Sequence, residues 1–105
     1  MARIFTAEEF EQEVLGADVA FVDFYADWCG PCQAMGPVID QLAEEYAGRA
    51  LIGKVNVDQN QELARRYRVM SIPNMILLKK GQVFKQMIGL TDPATIEAAI
   101  DEALS

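Results

Sequence analysis

The run from Val19 to Tyr25 constrains the fold of this chain more than any other segment. Its residues are apolar except Asp23, and they cover both faces of an extended strand, because successive side chains point to opposite faces. A strand that is apolar on both faces is typical of the centre of a sheet covered on both sides. The run therefore predicts a layered core. Asp23 needs an explanation, because an isolated buried charge is costly.

The other segments in the first half of the chain alternate between helical and extended patterns. Thr6 and Glu9 form a capping box, and it opens a helix with Phe10 and Val14 on one face. Apolar residues recur at helical spacing again over residues 32–46. Residues 51–57 have the composition of a second strand.

The second half adds a hairpin and a final helix. A short helix is expected after Asp58, and residues 75–78 and 82–88 flank the turn signal Lys80-Gly81, which predicts an antiparallel hairpin. Asp92, followed by proline, is a helix N-cap. Strands separated by helices and then a hairpin predict one α/β domain over residues 1–105, with a mixed sheet.

The charge and the apolar pattern argue against two classes of partner. The 105 residues carry a net charge of −7 and include no histidine, whereas a surface that binds nucleic acid needs a basic footprint. No apolar stretch is long enough to span a membrane, and the N-terminal segment lacks the apolar run of a secretion signal. We expect a cytoplasmic monomer that binds neither nucleic acid nor membranes.

Both cysteines lie in one pentapeptide, Trp28-Cys29-Gly30-Pro31-Cys32. Three uses compete: half of a metal site, a structural cross-link and a redox pair. Structural zinc takes four ligands, usually cysteine or histidine, and the chain has two cysteines and no histidine; we expect no metal. A cross-link that closes so short a loop adds little stability through chain entropy. In a cytosolic protein this spacing favours a redox pair.

The position of the cysteines before a periodic helix also favours redox chemistry. Cys29 would lie at the helix N-terminus, where unpaired N–H groups and the helix dipole favour thiolate over thiol. Gly30 permits close approach by a partner backbone, and Pro31 fixes the first helical turn. Cys32 lies one turn further in and is expected to be less accessible. We therefore expect Cys29 to attack a target disulfide and Cys32 to resolve the product.

The segment of residues 24–32 resembles the active-site segment of the thioredoxin family. The likeness covers nearly the whole chain and continues through Asp23, Pro37, residues 54–58, residues 71–73, Gly81 and Gly89. It implies an α/β thioredoxin fold, with a central mixed sheet of four to five strands flanked by helices on both faces. It also implies reduction of disulfides in protein substrates, no bound cofactor, and a thioredoxin reductase that recycles the oxidised form, usually with electrons from NADPH.

The resemblance gives a role to the buried carboxyl. Burial raises the pKa of a carboxyl, so Asp23 could accept a proton from Cys32 through water, and the family assigns this task to the same position. Lys54 would be the charge partner that modulates Asp23. The alternatives are a hydrogen-bonded aspartate without a role and an ordinary surface lysine.

The resemblance also implies a docking face for target proteins. In the family, the peptide bond that corresponds to Ile72-Pro73 is cis and lies against the cysteines. The backbone of Ile72 would then pair with an incoming peptide as an added strand does. The other residues expected to shape this shallow apolar face are Trp28, Gly30, Pro31 and Gly89.

Four residues depart from the family pattern, and two other functions remain open. Gln33, Tyr25, Ser71 and Asn74 stand where thioredoxins commonly carry lysine or arginine, tryptophan, glycine and threonine. We expect none of them to touch the sulfurs, so they leave the reductase chemistry intact and bear on partner preference, including the choice of reductase. The rival functions are an oxidase or isomerase of secreted proteins, which typically has histidine between its cysteines, and a non-catalytic binding module, which needs no intact dithiol.

Overall fold

The strand predicted over Val19–Tyr25 forms the centre of a five-stranded sheet. The computed structural model describes residues 1–105. Its strands are β1 (Arg3–Ile4), β2 (Val19–Tyr25), β3 (Leu51–Asn56), β4 (Asn74–Lys79) and β5 (Gln82–Ile88). The strand order is β1-β3-β2-β4-β5, and β2 is parallel to β3 and antiparallel to β4. The predicted mixed sheet is confirmed.

Helices cover both faces of this sheet, as predicted. They are α1 (Ala7–Glu9), which continues as the π-helical segment Phe10–Val14, and α2 (Gly30–Glu45), α3 (Gln61–Arg66) and α4 (Pro93–Leu104). Buried side chains of α2 and α4 pack on the face that carries Phe21. Those of the π-helical segment and α3 pack on the face that carries Val22. Every residue of β2 is consequently buried. None of the helices is long and apolar enough to cross a membrane.

The N-terminal segment keeps its predicted cap and differs from the prediction in two details. The Glu9 N–H donates to Thr6 Oγ1 at 3.1 Å, and the Thr6 N–H donates to Glu9 Oε1 at 2.9 Å, which confirms the capping box. The helix then widens, because the Leu15 N–H donates to the Phe10 carbonyl at 3.1 Å, five residues back. Strand β1 was not predicted, since two residues are too few for a periodic pattern.

The predicted hairpin is also confirmed, and it forms one edge of the sheet. Lys80 and Gly81, with φ of 50° and 79°, make the turn between β4 and β5, as a two-residue hairpin turn of this class requires. A register shift at Leu77 and Leu78 marks a bulge between the two strands. The side chains of β5 are mostly exposed, and no strand pairs with its outer edge.

Candidate active site

The two cysteines lie at the start of α2. The helix begins at Gly30, two residues earlier than the predicted segment, so Cys29 is its N-cap and Cys32 lies in its first turn. The Cys32 N–H donates to Cys29 Sγ at 3.2 Å. The two residues are joined as a disulfide, with their Cα atoms 5.2 Å apart. Cys29 Sγ therefore accepts a hydrogen bond from one of the N–H groups that have no backbone partner at the start of the helix, and this position stabilises a thiolate.

The expected difference in accessibility between the two cysteines is small in this oxidised state. Cys29 is 6 % exposed and Cys32 is 4 % exposed. The residues around them, Trp28, Gly30 and Pro31, are exposed. The sulfurs thus lie just below a surface formed by their neighbours.

The sheet topology brings the Ile72-Pro73 segment to the cysteines. Because β4 is antiparallel to β2, its first residue, Asn74, pairs with Phe24 near the end of β2. The Ile72 carbonyl oxygen lies 3.8 Å from Cys29 Sγ. The Ile72-Pro73 peptide bond is cis.

Gly89 joins this segment from the end of β5. Its N–H donates to the Pro73 carbonyl at 2.8 Å. Its φ of 86° lies in the region that favours glycine. Gly89 therefore meets Pro73, and the neighbouring Ile72 carbonyl lies next to Cys29.

Trp28 lies on the open side of the site, with 72 % of its surface exposed. Its indole Nε1–H donates to Asp58 Oδ2 at 2.8 Å, which restrains the ring although it is exposed. Asp58 was predicted only as the residue that precedes a helix. Its bond to Trp28 depends on how β2 and β3 are paired, so no local sequence signal indicates it.

Asp23 lies on β2, the central strand of the sheet, and is fully buried. No protein group donates a hydrogen bond to either of its carboxyl oxygens. Burial raises the pKa of Asp23 from 3.8 to about 6, and the positive charge of Lys54 acts in the opposite direction. The carboxyl therefore changes charge close to neutral pH.

Lys54 is the neighbour of Asp23 on β3, with which Asp23 is in direct register. The half-buried lysine forms no ion pair with the carboxylate. Its Nζ instead lies 4.6 Å from the centroid of the Tyr25 ring. The two charged residues are adjacent, as the family resemblance implies, but the ammonium lies over an aromatic face.

A cavity of about 410 Å³ opens beside Cys32 and is lined in part by Tyr25, Gln33 and Lys54. It is large enough to admit water. Gln33 closes one side of it, since its Nε2–H donates to the Asp27 carbonyl at 2.9 Å. Cys32 and Lys54 thus share one polar space.

The other two departures from the family pattern lie on either side of Pro73. Ser71 is exposed, whereas Asn74 is buried and its Oδ1 accepts a hydrogen bond from Gln86 Nε2 at 2.9 Å. Asn74 therefore links β4 to β5 and does not face the sulfurs. No group of three or more acidic, cysteine or histidine side chains is arranged to hold a metal ion.

Two cysteines that form and break a disulfide across one helical turn can exchange electrons with other disulfides. The fold and the site together define a thiol–disulfide oxidoreductase. The sequence profile of the thioredoxin family, described as "Thioredoxin", matches residues 1–102. The chain belongs to the thioredoxin family.

Individual relatives agree with this assignment. The chain is 48 % identical to a thioredoxin from Chlorobaculum thiosulfatiphilum over 98 residues, which cover 92 % of this chain and 91 % of the relative. It is 47 % identical to thioredoxin 2 from Chlorobaculum tepidum over 98 residues, 92 % of this chain and 90 % of the relative. A solved structure of a mutant thioredoxin from Halobacterium salinarum NRC-1 superposes with a TM-score of 0.88 at 35 % identity, and covers 99 % of this chain and 90 % of that one.

Proposed function

We propose that this protein reduces disulfides in protein substrates and is recycled by a thioredoxin reductase, with electrons drawn usually from NADPH. It would work as a single-domain monomer in the cytoplasm, where the redox poise keeps thiols reduced, and without a bound cofactor. The observation that carries the proposal is the position of Cys29 Sγ at the N-terminus of α2, 3.2 Å from the Cys32 N–H.

Cys29 is the nucleophile in this proposal. In the reduced protein, the N–H groups at the start of α2 stabilise its thiolate. The thiolate attacks one sulfur of a target disulfide, a bond forms between Cys29 Sγ and that sulfur, and the second target sulfur leaves as a thiolate and is protonated. The product is a mixed disulfide between the two proteins.

The target docks on the surface around Cys29. The Ile72 main chain, next to Pro73 and 3.8 Å from Cys29 Sγ through its carbonyl oxygen, pairs with the target backbone. A Cβ atom built at Gly30 would meet nothing within 4 Å, so the surface at Gly30 has room for a partner backbone. The apolar contacts come from Trp28, Pro31 and Gly89.

Cys32 then resolves the mixed disulfide. Asp23, with a pKa of about 6, accepts the Cys32 proton through water. The Cys32 thiolate attacks Cys29 Sγ, closes the Cys29–Cys32 bond and releases the remaining target sulfur as a thiolate, which takes up a proton. Lys54 modulates this step, because its positive charge favours the ionised form of Asp23.

Recycling completes the electron balance. One turnover moves two electrons from the dithiol to the target, whose disulfide becomes two thiols. The partner reductase returns two electrons, and two protons restore both thiols.

A trapping experiment tests the division of labour between the cysteines. Cys32→Ser removes the resolving thiol, so incubation with native insulin, whose disulfides are intact, should give a stable mixed disulfide on non-reducing gels. Cys29→Ser is the matched control and should give almost none. A stable adduct with Cys29→Ser and none with Cys32→Ser would reverse the assigned roles.

The direction of electron flow is tested by the equilibrium of the wild-type dithiol with glutathione. A reducing potential supports the reductase, whereas an oxidising one supports an oxidase or isomerase. Added thioredoxin reductase should consume NADPH in proportion to the oxidised protein. A reducing potential without NADPH consumption would contradict only the proposed recycling.

A further inference from the structure

Tyr25 occupies a central position among the groups that this chemistry uses. It lies two residues after Asp23 on β2, so the two side chains share one face of the sheet. Its ring packs in a small cluster with Cys29 and Cys32. The Lys54 Nζ lies 4.6 Å from the ring centroid. The expectation that none of the four departing residues touches the sulfurs is therefore wrong for Tyr25, because the end of β2 packs against the start of α2. Tyr25 contacts both the dithiol and the only cation beside the buried carboxyl.

The position of the Lys54 ammonium requires a cause. A lysine side chain is long and flexible, and a half-buried one next to an open cavity can extend its head into water. The negative face of an aromatic ring attracts an ammonium group. In this structure the ring of Tyr25 supplies that attraction, and it keeps the charge near Asp23 without direct contact.

We propose that Tyr25 is a positioning residue: its ring holds the Lys54 ammonium beside the Asp23 carboxyl. The inference deepens the proposed function and rests on it, because the proton-accepting role of Asp23 gives the arrangement its purpose. It also assigns a task to a residue at which this chain departs from the tryptophan common in the family.

Two charged or titratable residues lie beside Asp23: Lys54, its partner on β3, and Tyr25 on β2 itself. Cys32 on α2 and Asp27 in the loop after β2 line the cavity that Tyr25 and Lys54 share. From β4, the residue opposite Asp23 is the apolar Met75. Burial raises the pKa of the Tyr25 phenol above its usual value of 10. The ring therefore stays neutral below pH 9, and its hold on Lys54 does not change while Asp23 titrates.

The test follows the Asp23 carboxyl carbon by NMR across pH 4 to 9 in the oxidised protein, in which the cysteines do not titrate. Tyr25→Leu removes the aromatic face and frees Lys54 to move into water. The loss of a nearby positive charge should raise the Asp23 pKa by about half a unit. Tyr25→Phe keeps the face and is the matched control, with the Asp23 pKa unchanged.

Lys54→Met distinguishes this effect from a general disturbance of the site. Lys54→Met alone should also raise the Asp23 pKa, and adding Tyr25→Leu to it should raise it no further. An Asp23 titration unmoved by Tyr25→Leu would overturn the proposal. An equal shift from Tyr25→Leu with Lys54 already replaced would overturn it too, because Tyr25 would then act without the lysine.

The wild-type protein supplies a measurement that needs no variant. The ε-methylene protons of Lys54 should be shifted upfield by the ring current of Tyr25, and ordinary lysine shifts would contradict the contact. The proposed function is tested by a separate measurement. If Asp23→Asn leaves the pH profile of mixed-disulfide release unchanged, Asp23 is not the proton acceptor, whatever the NMR titrations show.

Discussion

The buried carboxyl should make the stability of the oxidised protein depend on pH. Burial holds the Asp23 pKa at about 6 in the folded protein, against an ordinary value of 3.8. Between these two values the folded state binds more protons than the unfolded state, so the free energy of unfolding falls as pH rises. Below the lower value both states are protonated, and above the higher value both are ionised, so the dependence is confined to this window.

The size of the effect follows from the difference between the two pKa values. At about 1.4 kcal/mol per pKa unit, the ionised carboxylate costs the folded state about 3 kcal/mol, of which about 2.5 kcal/mol falls between pH 4 and pH 8. Asp23→Asn removes the titrating group. The variant should therefore gain about 2.5 kcal/mol of stability relative to wild type as pH rises from 4 to 8.

The assay is urea denaturation of the oxidised wild-type protein and of Asp23→Asn at one-unit intervals over that range. The informative quantity is how the difference in free energy of unfolding between the two proteins changes with pH. Its absolute size is less informative, because an asparagine amide has a burial cost of its own that does not vary with pH. Asp18→Asn, at an exposed aspartate, is the matched control and should show no such trend. A constant difference between wild type and Asp23→Asn from pH 4 to pH 8 would refute the argument.

Three further substitutions test the packing of β3 and α2 and the charge near Cys29. Gly53→Ala should lower the free energy of unfolding by about 2–3 kcal/mol in thermal or urea denaturation, because its Cβ would lie 2.7 Å from the Arg3 carbonyl oxygen. Gly36→Ala, where a Cβ meets nothing within 4 Å, should raise the free energy of unfolding by about 0.5–1 kcal/mol, since alanine is the better helix residue. Equal effects at both glycines would contradict the packing difference between the two positions. Gln33→Lys places a positive charge roughly 8 Å from the Cys29 sulfur, worth about 0.5 kcal/mol in water, so alkylation of Cys29 at pH 6 should speed up about twofold at low salt and less at high salt. A tenfold change, or one indifferent to salt, would mean that residue 33 rearranges the site.

The features that the sequence predicts well have signals within a few residues. The apolar run of β2, the cap at Thr6, the turn at Lys80-Gly81 and the cap at Asp92, whose Oδ1 accepts from the Ala94 N–H at 3.4 Å, are all of this kind. The family resemblance then supplies the number of strands. A lone charge in an apolar run also predicts the burial of Asp23, because the strand pattern leaves it no exposed face.

The features that could not be predicted depend on how distant segments pair. Strand alternation places Asp23 and Tyr25 on one face, but it does not say which residue of β3 lies beside them. The contact of Lys54 with the Tyr25 ring and the bond from Trp28 to Asp58 both follow from that register. The small exposure of Cys29 depends on a different pairing, that of β2 with β4, since the Ile72 carbonyl that approaches its sulfur is 43 residues further along the chain.

The open edge of β5 has a consequence for how these molecules behave at high concentration. An unpaired strand with exposed apolar side chains, such as Val83, Phe84 and Ile88, is a template on which a second chain can extend the sheet. Two features oppose such growth here. Lys85 places a charge in the middle of the strand and is paired with Glu102 of α4 at 3.2 Å. The bulge at Leu77 and Leu78 disturbs the regular geometry that pairing with another strand requires. Protection against aggregation along this edge therefore depends on a single lysine and a local irregularity in pairing, with no covering element to replace them.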